Sequence, residues 1–302
     1  MTRILLIGAN GFIGRHVRER AAQFGIEVAE ASRAPRPGGL RLDLAAGWEP
    51  VATAIRATAP DAVVNCAGAT AGDVGTMVGG NVVAVAHLVR AAAACGHPFR
   101  LVHLGSAAEY GEVVRGVPVA ETAPPRPLAA YGVTKLAGTE LVRAAAASGL
   151  DAVVLRVFNP VGPGAPATTL AGRLAAELRR TAGTDGTVRL GSLDAYRDLV
   201  DVRDVAAAVL AAVRAPAPPP AVLNVGSGRA TQLRELVGSL IRAAGSSARV
   251  TETAPGANPG RSSGVAWQRA DIGAIRWALG WTPAIGLDAS MRDLWNEVGC
   301  PV

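Results

Sequence analysis

Tyr131 and Lys135 stand four residues apart in Tyr131-Gly132-Val133-Thr134-Lys135, within a stretch of helical character. That spacing puts both side chains on one helix face, one turn apart. A phenol titrates near ~10 and is a poor acid or base at neutral pH. An ammonium one turn away favours the phenolate and brings that value down. Ser106 closes the apolar run Arg100-Leu101-Val102-His103-Leu104-Gly105-Ser106 and could hold a substrate oxygen beside Tyr131. Together the three residues suit proton movement at an oxygen while a hydride moves at the attached carbon. Lys135 could also orient a nicotinamide ribose. The alternative is a tyrosine packed on a helix face beside a snorkelling lysine.

A hydride carrier needs a cradle, and the N-terminus offers one. Gly8, Gly11 and Gly14 follow the apolar run Ile4-Leu5-Leu6-Ile7 in the loop Gly8-Ala9-Asn10-Gly11-Phe12-Ile13-Gly14. A tight strand-to-helix turn needs residues that tolerate positive φ and let backbone N–H groups approach a pyrophosphate. The third glycine lets helix and strand pack closely. The spacing is G-x-x-G-x-x-G, not G-x-G-x-x-G, and a tight turn without ligand is the competing reading. The second strand ends at Ser32-Arg33. A hydroxyl with a guanidinium favours a 2′-phosphate, hence NADP(H) over NAD(H), with NAD(H) still possible. Arg33 as a solvated surface residue stays open. Asp43-Leu44, after the third strand, are placed for an adenine or for a helix N-cap.

The elements that must position these residues alternate. Strands are expected at 3–7, 27–31, 39–42, 61–67, 101–104 and 152–157, with helices at 11–24, 82–94 and 131–147. That order predicts a doubly wound parallel α/β sheet. Beyond Val157 the pattern breaks at Pro160, Gly162, Pro163, Gly164 and Pro166. A helix at 170–180, short strands at 188–191 and 222–225, a proline-rich connector at 216–220 and two C-terminal helices follow. The expected division is a dinucleotide-binding domain over 1–160, with 194–226 returning to it. A smaller α/β lobe takes 161–193 and 227–302.

Composition narrows the classes. The chain has 302 residues, half of them hydrophobic, enough for a large core. No apolar run reaches the roughly 18 residues of a membrane span, and residues 4–7 are too short for a signal peptide. A soluble cytoplasmic protein is expected. Cys66, Cys95 and Cys300 are far apart and read as reduced structural thiols, and neither they nor the four histidines suggest a metal site. His103, inside an apolar strand, reads as a core residue. The net charge of +6 comes from scattered arginines with few aromatics and no basic run. It suits an anionic small substrate better than nucleic acid or membrane, and a merely arginine-rich composition is the plainer alternative.

The combined motifs resemble an extended short-chain dehydrogenase/reductase of the NAD-dependent epimerase/dehydratase family, which acts mostly on nucleotide sugars. The resemblance rests on Gly8–Gly14, Asp43-Leu44, Asn65-Cys66-Ala67-Gly68, Asn81, Gly105-Ser106 through Tyr110-Gly111, and Tyr131–Lys135. It continues through Leu155–Gly164, Arg197–Ala206 and Asn224–Gly228. It implies a Rossmann domain carrying NAD(P) on Gly8, Asn10, Gly11, Phe12, Ile13, Gly14, Cys66, Ala67, Gly68 and Asn81, with Phe158-Asn159-Pro160 by the nicotinamide. Asn159 would also reach the substrate, and Arg197 and Arg261 would meet a diphosphate. Gly264 stands where the family often has an aspartate three residues after such an arginine. Thr70, Ala107, Glu109 and the region 165–174 are candidates for sugar and base, with Glu109 as a solvated loop residue the alternative. Members usually form homodimers through helices that would here be 81–94 and 131–147.

Sugar 4,6-dehydratases of the family resemble Thr-Asp-Glu at the catalytic serine. Here Ala107-Ala108 follow Ser106 and cannot transfer protons. Ser32-Arg33 and the Gly105–Gly111 pattern favour a 4-ketoreductase of an NDP-4-keto-6-deoxy sugar, with Tyr131 protonating the new alkoxide. The alternatives are an NDP-sugar 4-epimerase with retained NAD, a non-sugar carbonyl reductase, and a non-catalytic NAD(P)-binding regulator.

Overall fold

In the computed structural model the described residues are 2–181, 186–252 and 264–297, so Arg261 and Cys300 lie outside them. Runs of Val, Ile and Leu make strands buried on both faces. In chain order these are β1 (Arg3–Ile7), β2 (Glu27–Ser32), β3 (Leu40–Arg41), β4 (Ala62–Asn65), β5 (Arg100–Ser106), β6 (Ala152–Val157), β7 (Asn159–Val161), β8 (Thr187–Leu190), β9 (Tyr196–Asp201), β10 (Val222–Val225), β11 (Ala230–Gln232) and β12 (Arg249–Glu252). The helices are α1 (Phe12–Gln23), α2 (Trp48–Thr58), α3 (Val74–Val78), α4 (Ala84–Ala93), α5 (Ala130–Ala147), α6 (Leu170–Arg180), α7 (Val202–Arg214), α8 (Leu233–Ala244), α9 (Gly273–Leu279) and α10 (Leu287–Glu297).

Seven strands form one sheet in the order β10-β6-β5-β4-β1-β2-β3, every pairing parallel. The order reverses between β1 and β4, which opens a crevice at their C-terminal ends. Alternate strand residues point to opposite faces. Ile4, Leu6, Val64, Val102 and Leu155 meet Val17 of α1 and Val205 and Val209 of α7. Leu5, Ile7, Val63, Leu101 and Val154 meet Ile55 of α2, Leu88 of α4 and Val142 of α5. Each such side chain, fully buried, contributes about 1.5–3 kcal/mol. A third cluster joins Leu174 and Leu178 of α6, Leu190 of β8, Leu236 and Leu240 of α8, and Met291 and Leu294 of α10. Among the described residues there are also two small sheets, β11-β9-β7 and β12-β8.

Several elements differ from the sequence expectation. The helix expected from residue 82 starts at Val74, because Asp73 caps it by accepting Thr76 N–H at 2.7 Å. It runs to Ala93 through a π turn, Gly79–Val83, where a Cβ on Gly80 would lie 2.8 Å from Ala69 Cβ. By length and composition Val74–Ala93 could cross a membrane; in the fold α4 packs on α2 and α5. Neither α2 nor α7 was expected. Pro50 sits in the first turn of α2, where its missing N–H costs nothing. α7 is buried on nearly every side and shows no polar stripe. Finally, among the described residues three helices rather than two follow β11.

Candidate active site

The glycine loop closes on itself. Gly8 has φ +82°, and its N–H donates to Ala31 O at 2.9 Å. A Cβ there would lie 2.7 Å from Ala67 N, and one on Gly14 would lie 2.1 Å from Gly8 O. α1 begins without a side-chain cap and with no acidic residue in its first turn. Its first N–H groups and positive dipole end therefore face the crevice, where a pyrophosphate fits. The Phe12 side chain packs on the third cluster and that of Ile13 on the first face of the sheet.

Asn10 ties this loop to the end of β2, with Nδ2 3.2 Å from Ser32 Oγ and 2.8 Å from Ala34 O. Arg33 is exposed beside it. Asp43 takes the cap role weighed in the sequence, accepting Ala45 N–H at 3.0 Å. The Leu44 side chain is buried in the core with Leu88 of α4, which leaves its backbone for an adenine.

The loop after β4 is held from below. Asn65 Oδ1 accepts Ala67 N–H at 3.0 Å, so its amide nitrogen faces His103 Nδ1 at 3.0 Å and donates to it. The neutral imidazole therefore carries its proton on Nε2. Burial, then Lys135, depress the His103 pKa well below 6.5. Burial pushes the Cys66 thiol up to about 12, which makes it an unreactive wall residue. Gly68 is exposed; a Cβ there would meet Asn81 Oδ1 at 2.9 Å. Asn81, expected as a cofactor contact, has an intramolecular task. Only 1% exposed, it accepts Ala69 N–H and donates to Ala69 O, both at 2.9 Å, and to Thr134 Oγ1 at 3.1 Å. Both ends of its carboxamide brace the loop against α5.

On α5, Lys135 is buried and donates from Nζ to Leu104 O at 2.5 Å, while Tyr131 is half-buried. Glycines allow the close approach: a Cβ on Gly132 would sit 2.4 Å from Ala108 O, and one on Gly138 2.5 Å from Asn81 O. The start of α5, next to Tyr131, thereby packs against the short turn Ala107–Glu109 that follows Ser106. Ser106 Oγ accepts Ala108 N–H at 3.2 Å.

Two expected substrate contacts around that turn are corrected. Glu109 is 0% exposed, neither solvated nor open to a sugar. Its Oε1 accepts Ser106 N–H and its Oε2 accepts Arg156 Nε, each at 2.7 Å. Ala107 is 4% exposed, and its carbonyl accepts Gln268 Nε2 at 2.9 Å. Phe158 is likewise a core residue, 1% exposed, with its ring 6.2 Å from that of Tyr110. Asn159 and Pro160 are half-buried in β7, and Asn159 Nδ2 donates to Asp198 O at 3.0 Å. Thr70 is exposed. Arg197 is mostly buried and donates to Tyr196 O at 2.9 Å; burial lowers its pKa to about 10, so it stays charged at neutral pH.

Arg156 and Asp198 were missed as working residues. A charged residue inside the apolar run Leu155–Val157 signals a buried partner, and that partner is Glu109. Asp198, on β9, accepts N–H groups of Ser227, Gly228 and Ala270 and the Ser227 hydroxyl, clasping two loops to that strand.

A sequence model of the NAD dependent epimerase/dehydratase family matches residues 4–226. The chain belongs to that family. A dTDP-6-deoxy-L-talose 4-dehydrogenase (NAD(P)(+)) of Kitasatospora kifunensis is 40% identical to this epimerase/dehydratase family member, over 97% of this chain and 95% of its own. The Pseudomonas aeruginosa protein RMD, solved with NADPH, superposes with a TM-score of 0.85 over 98% of each chain at 26% identity. A Thermus thermophilus UDP-glucose 4-epimerase solved with NAD does so with a TM-score of 0.84, over 98% of each chain at 28% identity.

Proposed function

We propose that this chain is an NAD(P)-dependent nucleotide-sugar oxidoreductase, and more narrowly a 4-ketoreductase of an NDP-4-keto-6-deoxy sugar. The observation that carries the reading is the convergence of Ser106, the Tyr131 helix and buried Lys135 on one sheet edge, next to the glycine cradle. A relative named for oxidation at C4 of a dTDP-6-deoxy sugar supports it, because a 4-dehydrogenase run backwards is a 4-ketoreductase.

The cradle and the start of α1 would hold the pyrophosphate, Asn10, Ser32 and Arg33 the adenosine ribose end, and the loop Cys66–Gly68 with Asn159 and Pro160 the nicotinamide end. When bound, NAD(P)H supplies a hydride. The chain's own residues do the rest. Lys135, anchored on Leu104 O, orients the nicotinamide ribose. Tyr131 protonates the sugar C4 oxygen. Ser106 accepts Ala108 N–H and so has its own proton to donate to the same oxygen. Arg197 offers a guanidinium fork to the diphosphate. Ala107 and Ala108 supply no acid or base, which disfavours water elimination from the sugar.

The smaller lobe, 161–193 with 227–302, would close on the nucleotide. A homodimer belongs to the same proposal. Val78 at 38%, Val83 at 38% and Val133 at 51% exposure leave an apolar surface on the α3–α4 and α5 side, and sedimentation would test it. Free Cys66 and Cys95 suit a reducing cytoplasm.

The deciding experiment is extraction of the purified protein followed by chromatography, with NADP⁺ and NAD⁺ titrations. An empty protein that prefers NADP(H) supports the ketoreductase. Tightly retained stoichiometric NAD⁺ moves the reading to a 4-epimerase.

A further inference from the structure

No part of Glu109 reaches solvent, and Arg156 is 2% exposed. A buried carboxylate must be satisfied by protein groups, and here each oxygen has a separate task. Oε1 takes Ser106 N–H at 2.7 Å and Oε2 takes Arg156 Nε at 2.7 Å. Arg156 is fixed in turn: it pairs in register with Gly105 across β5 and β6, and its guanidinium lies 4.7 Å from the Tyr110 ring centroid. The Tyr110 hydroxyl donates to Asn224 Oδ1 at 2.7 Å. Gly105 makes the arrangement possible, since a Cβ there would lie 2.7 Å from Glu109 Oε1 and 3.1 Å from Arg156 Cγ. Above the pair, the turn is closed by Ser106 Oγ accepting Ala108 N–H.

We propose that Glu109, clamped by Arg156, is a positioning residue that fixes Ser106 as the hydrogen-bond donor to the substrate's carbonyl oxygen. It touches neither substrate nor cofactor and acts through the Ser106 backbone. The inference rests on the reading of Ser106 given above. Its chemistry is specific to a carboxylate. Two acceptor oxygens serve two donors at once, whereas a carboxamide of the same shape has one acceptor oxygen and must release either Ser106 or Arg156.

The test is a double-mutant cycle of Glu109→Gln and Ser106→Ala in the full-length protein, reading kcat and KM with NADPH and an NDP-4-keto-6-deoxy sugar. NADPH affinity and far-UV circular dichroism check that each variant is folded. Glu109→Asp, one methylene too short to span both donors, is run in the same cycle as a second variant. Glu109→Gln alone is expected to lower kcat by about tenfold or more, with NADPH affinity nearly unchanged. In the Ser106→Ala background it should cost less than about twofold, because residues that act as a unit are non-additive. Losses that multiply, or an unchanged kcat in either folded variant, overturn the inference while leaving the ketoreductase reading in place. A folded wild type that turns over no nucleotide sugar overturns the proposed function, and this inference with it.

Discussion

The glycine loop and the Ser106 turn sit at the same edge of one sheet and are built on opposite principles. What the loop offers is backbone N–H groups and space. A Cβ at Gly8 or Gly14 would collide with backbone, and the polar side chains nearby, Asn10 and Arg33, are exposed. At the turn, space is filled. Glu109, Arg156, Asn81, Lys135 and His103 are all buried, most with named partners on other elements. On the proposed reading, the first region tolerates solvent because it would bind a charged group by its dipole. The second would hold reacting atoms in place with buried polar groups, whose desolvation has to be offset pair by pair.

The contrast can be broken most sharply at its reacting end. Tyr131→Phe removes the proton donor without changing the packed ring, and kcat should fall by ~10²–10⁴-fold while NADPH affinity holds. A smaller loss in steady-state assays would move the proton donor elsewhere, and no loss would favour a cofactor-binding regulator. At the loop, Gly14→Ala forces the backbone to shift, because the new Cβ would lie 2.1 Å from Gly8 O. It should cost about 1–3 kcal/mol of stability and weaken NADPH binding, both read from thermal melts with and without cofactor. Unchanged melts would show that close packing of this loop is not what the cradle needs.

The buried end should also carry a pH signature that the open end lacks. His103 is held neutral in the fold, with a pKa well below 6.5, whereas the unfolded chain titrates near that value. Protons therefore bind the unfolded state first. Stability should fall as pH drops below ~6.5, by up to ~1.4 kcal/mol per unit, until the folded pKa is reached. Melting temperatures from pH 7.5 to 5.5 should decline more steeply in the wild type than in His103→Leu; parallel curves would contradict the assignment. The smallest effect is expected at the exposed rim. Arg33→Ala should weaken NADPH binding about tenfold, or ~1.4 kcal/mol, and leave NADH nearly untouched by titration calorimetry. Equal losses for both cofactors would remove Arg33 from 2′-phosphate recognition.

Much of the fold could be read in advance where local signals are strong. β6 at Ala152–Val157, α6 at Leu170–Arg180 and β10 at Val222–Val225 match the expected bounds. α2, α7 and the start of α3 escaped because a first-turn proline, all-round burial and a glycine pair each hide a helical period. Within the site, the glycines, Tyr131, Ser106 and Lys135 stood out because their types and spacing are unusual locally. Glu109 was misread because its neighbours in sequence, Ala108 and Tyr110, say nothing of Arg156, which lies 47 residues away.

The sequence by itself determined the strand-helix alternation, the cradle and the tyrosine-lysine pair, since each depends on residues a few positions apart. Only the tertiary structure decided that Asn81 is a brace, that Leu44 and Phe158 belong to the core, and that Glu109 faces inward. A polar side chain's task is set by which partner meets it after burial, and those partners come from strands and helices distant in the chain.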